Sequence, residues 1–154
     1  MKLKIFISLT LTLSLSLTLT LALSPLSIAA NRSFTDNGNG TVTDNNTGLM
    51  WQKEDDDATR TWESAITYCE GLSLGSYTDW RLPNIKELKS IVDNTKYSPS
   101  DTTYFPNTNS FYYWSSTTYA VSTSLAWYVY FSYGDVYYDY KSYYFYVRCV
   151  RGGQ

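Results

Sequence analysis

Few residues in this chain could carry catalytic chemistry. It has no histidine, 2 cysteines and 14 acidic residues. Without imidazole it lacks the commonest general base at neutral pH and the commonest metal ligand. Cys69 and Cys149 form an even set, which in an exported protein reads as a disulfide rather than as a free nucleophile. The alternative for them is a pair of free buried thiols. Asp79 beside Arg81, or Glu87 near Asp93, could be drawn as an acid pair. A carboxylate on a capped helix is far more often structural, so neither is assigned a reaction.

Cation chemistry has three candidate stretches. Asp36-Asn37-Gly38-Asn39-Gly40 and Asp44-Asn45-Asn46-Thr47-Gly48 are rich in oxygen donors. Both lack the ligand order and distal glutamate of an EF-hand loop and are read as turns, because their residues tolerate positive φ. Glu54-Asp55-Asp56-Asp57 reads as a solvated acidic loop that could also hold a cation. The expectation is a chain that is not an enzyme and has no cofactor and no metal.

Binding chemistry is where the composition is extreme. Twelve of the 16 tyrosines lie between Tyr112 and Tyr146. Tyrosine offers large, rigid, amphipathic contact area at low entropic cost, and a core cannot take many phenols that need polar partners. Trp127, Val129 and Phe131 alternate with Tyr128, Tyr130 and Ser132. That period of two sends the first set inward and Tyr128 and Tyr130 outward. Gly134-Asp135 turns the chain into a second strand, Val136 to Tyr140. Lys141-Ser142 leads to a third, Tyr143 to Val150. The candidate ligand-binding residues are Tyr128, Tyr130, Tyr133, Tyr138, Tyr140, Tyr144 and Tyr146. Trp114 and Trp127 are expected to be buried, and Trp80 largely so. The competing reading is a structural envelope domain whose tyrosines are scaffold.

Other elements must hold this region. Short strands are expected at Thr41 to Thr43 and Leu49 to Gln52. A helix from Trp62 to about Leu72 has Thr61 as its N-cap and an apolar face of Trp62, Ala65, Ile66, Cys69 and Leu72. A second helix follows Asn84, which with Glu87 has the capping-box form. Its stripe is Ile85, Leu88, Ile91 and Val92. Tyr97 to Ser110 reads as a long polar loop.

Residues 1–30 read as a signal peptide: Lys2 and Lys4, an apolar run to Leu23, Pro25, then Ser27-Ile28-Ala29 as cleavage site. An uncleaved anchor is the alternative, and a membrane enters only by that route. Residues 31–154 then form one domain, exported to the periplasm, the cell surface or the medium. The full chain has a net charge of −2, and loss of Lys2 and Lys4 makes it more acidic. No basic stripe exists to neutralise phosphates, so nucleic acid is excluded as a partner.

An ordered set of motifs runs through the mature chain. Gly40 to Asp44, Thr47 to Trp51 and Thr61 to Glu63 come first, then Asp79 to Asn84 with Glu87-Leu88. Tyr113 to Thr117, Ala126 to Val129 and Val147 to Arg151 complete it. The set resembles the Lcl-type C-terminal domain family of bacterial collagen-like adhesins. The resemblance implies an α+β, C-type-lectin-like fold related to formylglycine-generating enzymes, with two helices flanking a small twisted antiparallel sheet. It also implies terminal strands side by side, in keeping with a Cys69–Cys149 bridge. Where the family has a proposed role, it is surface adhesion or ligand binding, here to an unidentified protein or glycan. Some members resemble variable proteins of diversity-generating retroelements. Tyr130, Tyr133, Tyr140 and Tyr143 stand where relatives are often polar, and a tyrosine codon is one adenine-to-thymine change from asparagine. Two implied activities lack their residues. The thiols that formylglycine chemistry needs are taken by the bridge. Leu82-Pro83-Asn84 lacks the preceding carboxylate of calcium-dependent lectins, and no Trp-Asn-Asp follows.

Overall fold

Local turn chemistry builds the first sheet of the computed structural model, which describes residues 32–94 and 104–152. The expected signal segment at 1–30 and part of the expected polar loop, 97–103, lie outside the described residues. β1 (Phe34–Asp36), β2 (Thr41–Asp44) and β3 (Met50–Gln52) follow one another as antiparallel neighbours. In the first turn Asp36 Oδ1 accepts the Gly38 amide at 3.0 Å, and Gly38 and Gly40 have φ of 71° and 83°. In the second turn the Asp44 carboxylate accepts the Asn46 amide at 2.9 Å and the Thr47 hydroxyl at 2.7 Å. Both oxygen-rich clusters are therefore hairpin turns whose carboxylates cap their own loops.

The two helices start where their caps predict. α1 (Trp62–Glu70) begins at Thr61, whose side chain accepts from Ser64. It stops at Glu70, short of Leu72, because Gly71 takes the C-cap. α2 (Ile85–Ser90) carries the full capping box of Asn84 and Glu87. Ala65 and Cys69 of α1 and Leu88 of α2 are buried, as are Ile91 and Val92 just beyond α2.

β4 (Tyr112–Thr118), β5 (Leu125–Tyr130) and β6 (Asp135–Tyr140) form a separate three-stranded antiparallel sheet. Gly134, with φ of 75°, closes the β5–β6 hairpin through its amide to Tyr130 O at 2.7 Å. This sheet lies between two apolar clusters. Tyr113, Val129 and Phe131 join Trp51, Leu88 and Ile91 on one side. Trp114, Ala126 and Tyr128 join Ala65, Cys69, Trp80 and Phe145 on the other. The architecture is thus mixed helix and sheet, with two small antiparallel sheets rather than the single one expected.

The stretch from Tyr143 to Val150 does not form a third strand beside β6. After Tyr140 the chain turns and crosses the sheet to the outer edge of β4. There Phe145 exchanges backbone bonds with Arg60, and the Trp114 amide donates to Tyr146 O at 3.1 Å. The crossing has a packing reason: it places the alternate residues Phe145, Val147 and Cys149 in the second core cluster. β7 (Val150–Arg151) then pairs with β3. The first sheet has the order β1-β2-β3-β7, so the first and last strands share it without being neighbours. Cys69 and Cys149 are disulfide-bonded, with Cα atoms 5.5 Å apart, and tie α1 to this last segment.

Candidate ligand-binding face

The alternation along β5 separates the two faces, but burial does not follow it throughout. Val129 and Phe131 are buried as expected. Tyr128 was expected to point to solvent, but it is only 9% exposed. It sits on the opposite face from Val129, and that face is covered too, by α1 and by the crossing Phe145, whose ring centroid is 4.8 Å away. Burial, reinforced by Tyr112, Asp139, Tyr137 and Tyr130, pushes its phenol up to about 12. Trp127 corrects the reading the other way. It is half-buried, packed edge-on against Tyr119 and Tyr138 near the sheet margin.

The seven candidate tyrosines do not share one surface. Cross-strand pairing places Tyr112, Tyr128, Tyr130 and Tyr137 on one face of the β4–β6 sheet. Their rings form a chain: Tyr112 to Tyr130 at 4.6 Å, Tyr112 to Tyr128 at 5.1 Å, and Tyr130 to Tyr133 at 5.2 Å. Tyr138 lies on the other face, stacked on Tyr119 at 3.9 Å. Tyr140 meets Tyr143 at the far end of β6. Tyr144 and Tyr146 line a groove of about 190 Å³ with Phe111, Tyr112, Phe145 and Thr59. The structure therefore brings together Tyr128, Tyr130 and Tyr133 around Tyr112, whose ring also borders the groove of Tyr144 and Tyr146. Tyr146 itself packs on Tyr113 in the other core cluster, and Tyr138 and Tyr140 are separated off. The structure adds Phe111, Tyr112 and Tyr137. Of these, Tyr112 was findable from sequence, since it occupies the same strand phase as Trp114.

This face is open at its margin. Tyr133, Tyr137, Tyr144 and Phe111 are exposed, whereas Tyr130 and Tyr146 are half-buried between their neighbours. No charged side chain among the described residues lines the groove. Among the described residues, the hydroxyls of Tyr112, Tyr144 and Tyr146 have no hydrogen-bond partner, so they are available as donors and acceptors. The arrangement can stack flat, uncharged groups and hydrogen-bond to their rims.

The carboxylates once considered for acid–base work are engaged elsewhere. Arg151 holds Asp79 through bonds of 2.7 and 3.0 Å, and this bonding keeps its carboxyl below the usual range. Arg81 grips Glu87 with two bonds of 2.8 Å. Burial pushes Glu87 up, but Arg81 and the Asn84 amide outweigh it, and the carboxyl is held below its ordinary value. The acidic run is not wholly solvated either. Asp56 pairs with Arg60, and Asp55 is buried against Arg148 and the Tyr113 hydroxyl, the latter at 2.6 Å. Burial raises the Tyr113 phenol well above its ordinary value, so it acts as a donor to Asp55. Sequence alone could not find this network, because Asp55 and Arg148 are 93 positions apart.

The family model described as the Lcl C-terminal domain matches residues 40–151. No curated protein matches the chain.

Proposed function

We propose, from the premise that this chain belongs to the Lcl C-terminal domain family, that it is a non-catalytic, adhesin-like ligand-binding domain. Its binding surface is the aromatic face made by β4–β6 and the 144–146 crossover. The observation that carries this reading is the uncharged groove of Phe111, Tyr112, Tyr144, Phe145 and Tyr146, continuous with exposed Tyr133 and Tyr137. Exposed aromatic patches of this kind mark interaction sites, and tyrosine is enriched among interface hot spots. The ligand is a protein segment or a glycan with flat, uncharged faces.

The proposal extends to the setting. A C-type-lectin-like arrangement is supported by two helices packed on antiparallel sheets with the first and last strands in one of them. Export to the periplasm, surface or medium is supported by the basic-then-apolar start of the sequence and by a disulfide, which persists in oxidising compartments. Active rewriting of the tyrosine codons belongs to the same proposal. A reverse transcriptase gene beside a near-copy of the 3′ coding end would support it, and a locus without either would remove it.

The test is a screen of the folded chain against immobilised extracellular proteins and oligosaccharides, repeated with Tyr130→Ala plus Tyr144→Ala. Loss of the hits with unchanged circular dichroism supports the face, and full retention rejects it. A scaffold reading is favoured by the burial of Tyr128 and the dense ring contacts around Phe145. It predicts instead that the double variant loses its fold.

A further inference from the structure

The outer edge of β6 has no partner strand among the described residues. We infer that it is a pairing edge for a second copy of this chain, joined antiparallel about a two-fold axis at Tyr138. The inference is independent of the ligand-binding reading.

The hydrogen-bond phase of β6 defines what its edge offers. β5 and β6 are in register from Leu125↔Tyr140 to Tyr130↔Asp135, and just past this ladder the Lys141 amide donates to Ser124 O at 3.0 Å. Bonded and non-bonded pairs alternate in an antiparallel ladder. The backbone groups of Asp135, Tyr137 and Asp139 therefore face β5, and those of Val136, Tyr138 and Tyr140 face outward. The side chain of Asp139 already takes up one of the outward donors, the Tyr140 amide, at 2.8 Å. Tyr137, Tyr138 and Tyr140 are 48%, 44% and 55% exposed, so the edge is accessible.

Two copies can pair only so that Val136, Tyr138 and Tyr140 meet one another. The side chains then choose among the allowed registers. Centring the axis on Tyr137 sets Asp135 against Asp139, and centring it on Asp139 sets that carboxylate against itself. Like charges directly opposite are destabilising. Axes at Val136 or Tyr140 run off the ends of the strand. Centring on Tyr138 sets Asp135 opposite Lys141 and Tyr137 opposite Asp139, each twice. Both ends of the strand have a charge to spare for this. The Lys141 ammonium lies over the Trp62 ring at 3.6 Å and bonds Thr118, with no carboxylate partner among the described residues. Among the described residues, the Asp135 carboxylate has only the Tyr137 hydroxyl, at 3.5 Å. Of the registers the backbone allows, the one centred on Tyr138 also satisfies the charges, and the edge is self-complementary in the manner of a two-fold interface. Pairing makes one continuous sheet and sets the aromatic faces of both copies on the same side.

The deciding experiment measures the mass of the folded, disulfide-bonded chain by sedimentation equilibrium from low to several hundred micromolar. The mass should double with concentration. Asp135→Lys alone and Lys141→Asp alone should each weaken association by roughly tenfold, as opposite pairs become like pairs. The double swap should restore it. Tyr138→Pro removes an outward amide, together with the ring that stacks on Tyr119, and should abolish association with unchanged circular dichroism. If that variant misfolds, the charge swaps decide alone. Amides of Val136 and Tyr138 should exchange slowly at high concentration and quickly on dilution. A monomer at every concentration overturns the inference. So does a dimer indifferent to the single swaps, or one whose β6 amides gain no protection.

Discussion

Arg148 Nη2 lies 3.0 Å from Asp55 Oδ2, and the two side chains are 0% and 1% exposed. The guanidinium also donates to the carbonyl of Gln52 at 2.8 Å, to that of Lys53, and to the Thr108 hydroxyl at 2.9 Å. One buried cation thereby fastens the last segment of the chain to the acidic loop and to the loop before β4. Removing one partner leaves an uncompensated buried charge. Arg148→Ala or Asp55→Ala is expected to cost about 3–5 kcal/mol, measured by urea denaturation. A loss below about 1 kcal/mol would mean that the site is solvated.

The Cys69–Cys149 bridge closes a loop spanning 80 positions. The chain-entropy account gives roughly 4.5 kcal/mol for a loop of this length. Replacing both cysteines with alanine should lower unfolding free energy by about 2–5 kcal/mol. Non-reduced peptide mapping should show the Cys69 and Cys149 peptides linked. Free thiols in the folded protein would contradict the pairing.

Trp114 and Trp127 test which residues hold the second sheet. Trp114 is fully buried, its ring tilted against that of Phe145 with centroids 4.3 Å apart and its indole N–H donating to Arg60 O at 2.9 Å. Trp114→Ala should cost about 3–5 kcal/mol. Trp127 packs only at the sheet margin, so Trp127→Ala should cost clearly less in the same thermal or urea assay. Equal losses would contradict the face assignment.

Tyr128 supplies a pH test. Its phenol is raised to about 12 from its ordinary value of 10.0, mainly by burial. A raised folded value means that the neutral form is favoured by folding. Its contribution is therefore fully present below the unfolded value and is lost as pH rises through the window from 10.0 to about 12. Tyr113, raised in the same direction, adds to the loss. Stability followed by circular dichroism should fall across that window, less steeply for Tyr128→Phe. A flat profile would mean that both phenols are solvent-accessible.

Much of this fold was legible because its signals are local. Thr61, Asn84 and Glu87 mark both helix starts, and Asp36, Asp44 and Gly134 mark the hairpin turns. What stayed hidden depends on distant partners. The 143–150 stretch has strong strand propensity, but propensity does not say that Phe145 pairs with Arg60 or Val150 with Trp51. The alternation along β5 sorted its residues into two faces correctly. It could not reveal that α1 and Phe145 cover the second face, which is why Tyr128 was misplaced, nor the β5–β6 register that sets Tyr138 and Tyr140 on the face of Trp127. β1, three residues long, carries too short a pattern to read.

The most direct test of the binding surface compares affinities for one ligand recovered from the screen, by surface plasmon resonance on the folded wild type and two double variants. Tyr130→Ala with Tyr144→Ala removes rings from the groove side, and should lose about 2 kcal/mol or more of binding free energy, at least roughly thirtyfold in Kd. Tyr119→Ala with Val121→Ser alters the opposite margin and should leave Kd unchanged. Equal affinity for wild type and the groove variant, with circular dichroism intact in both, would contradict the account.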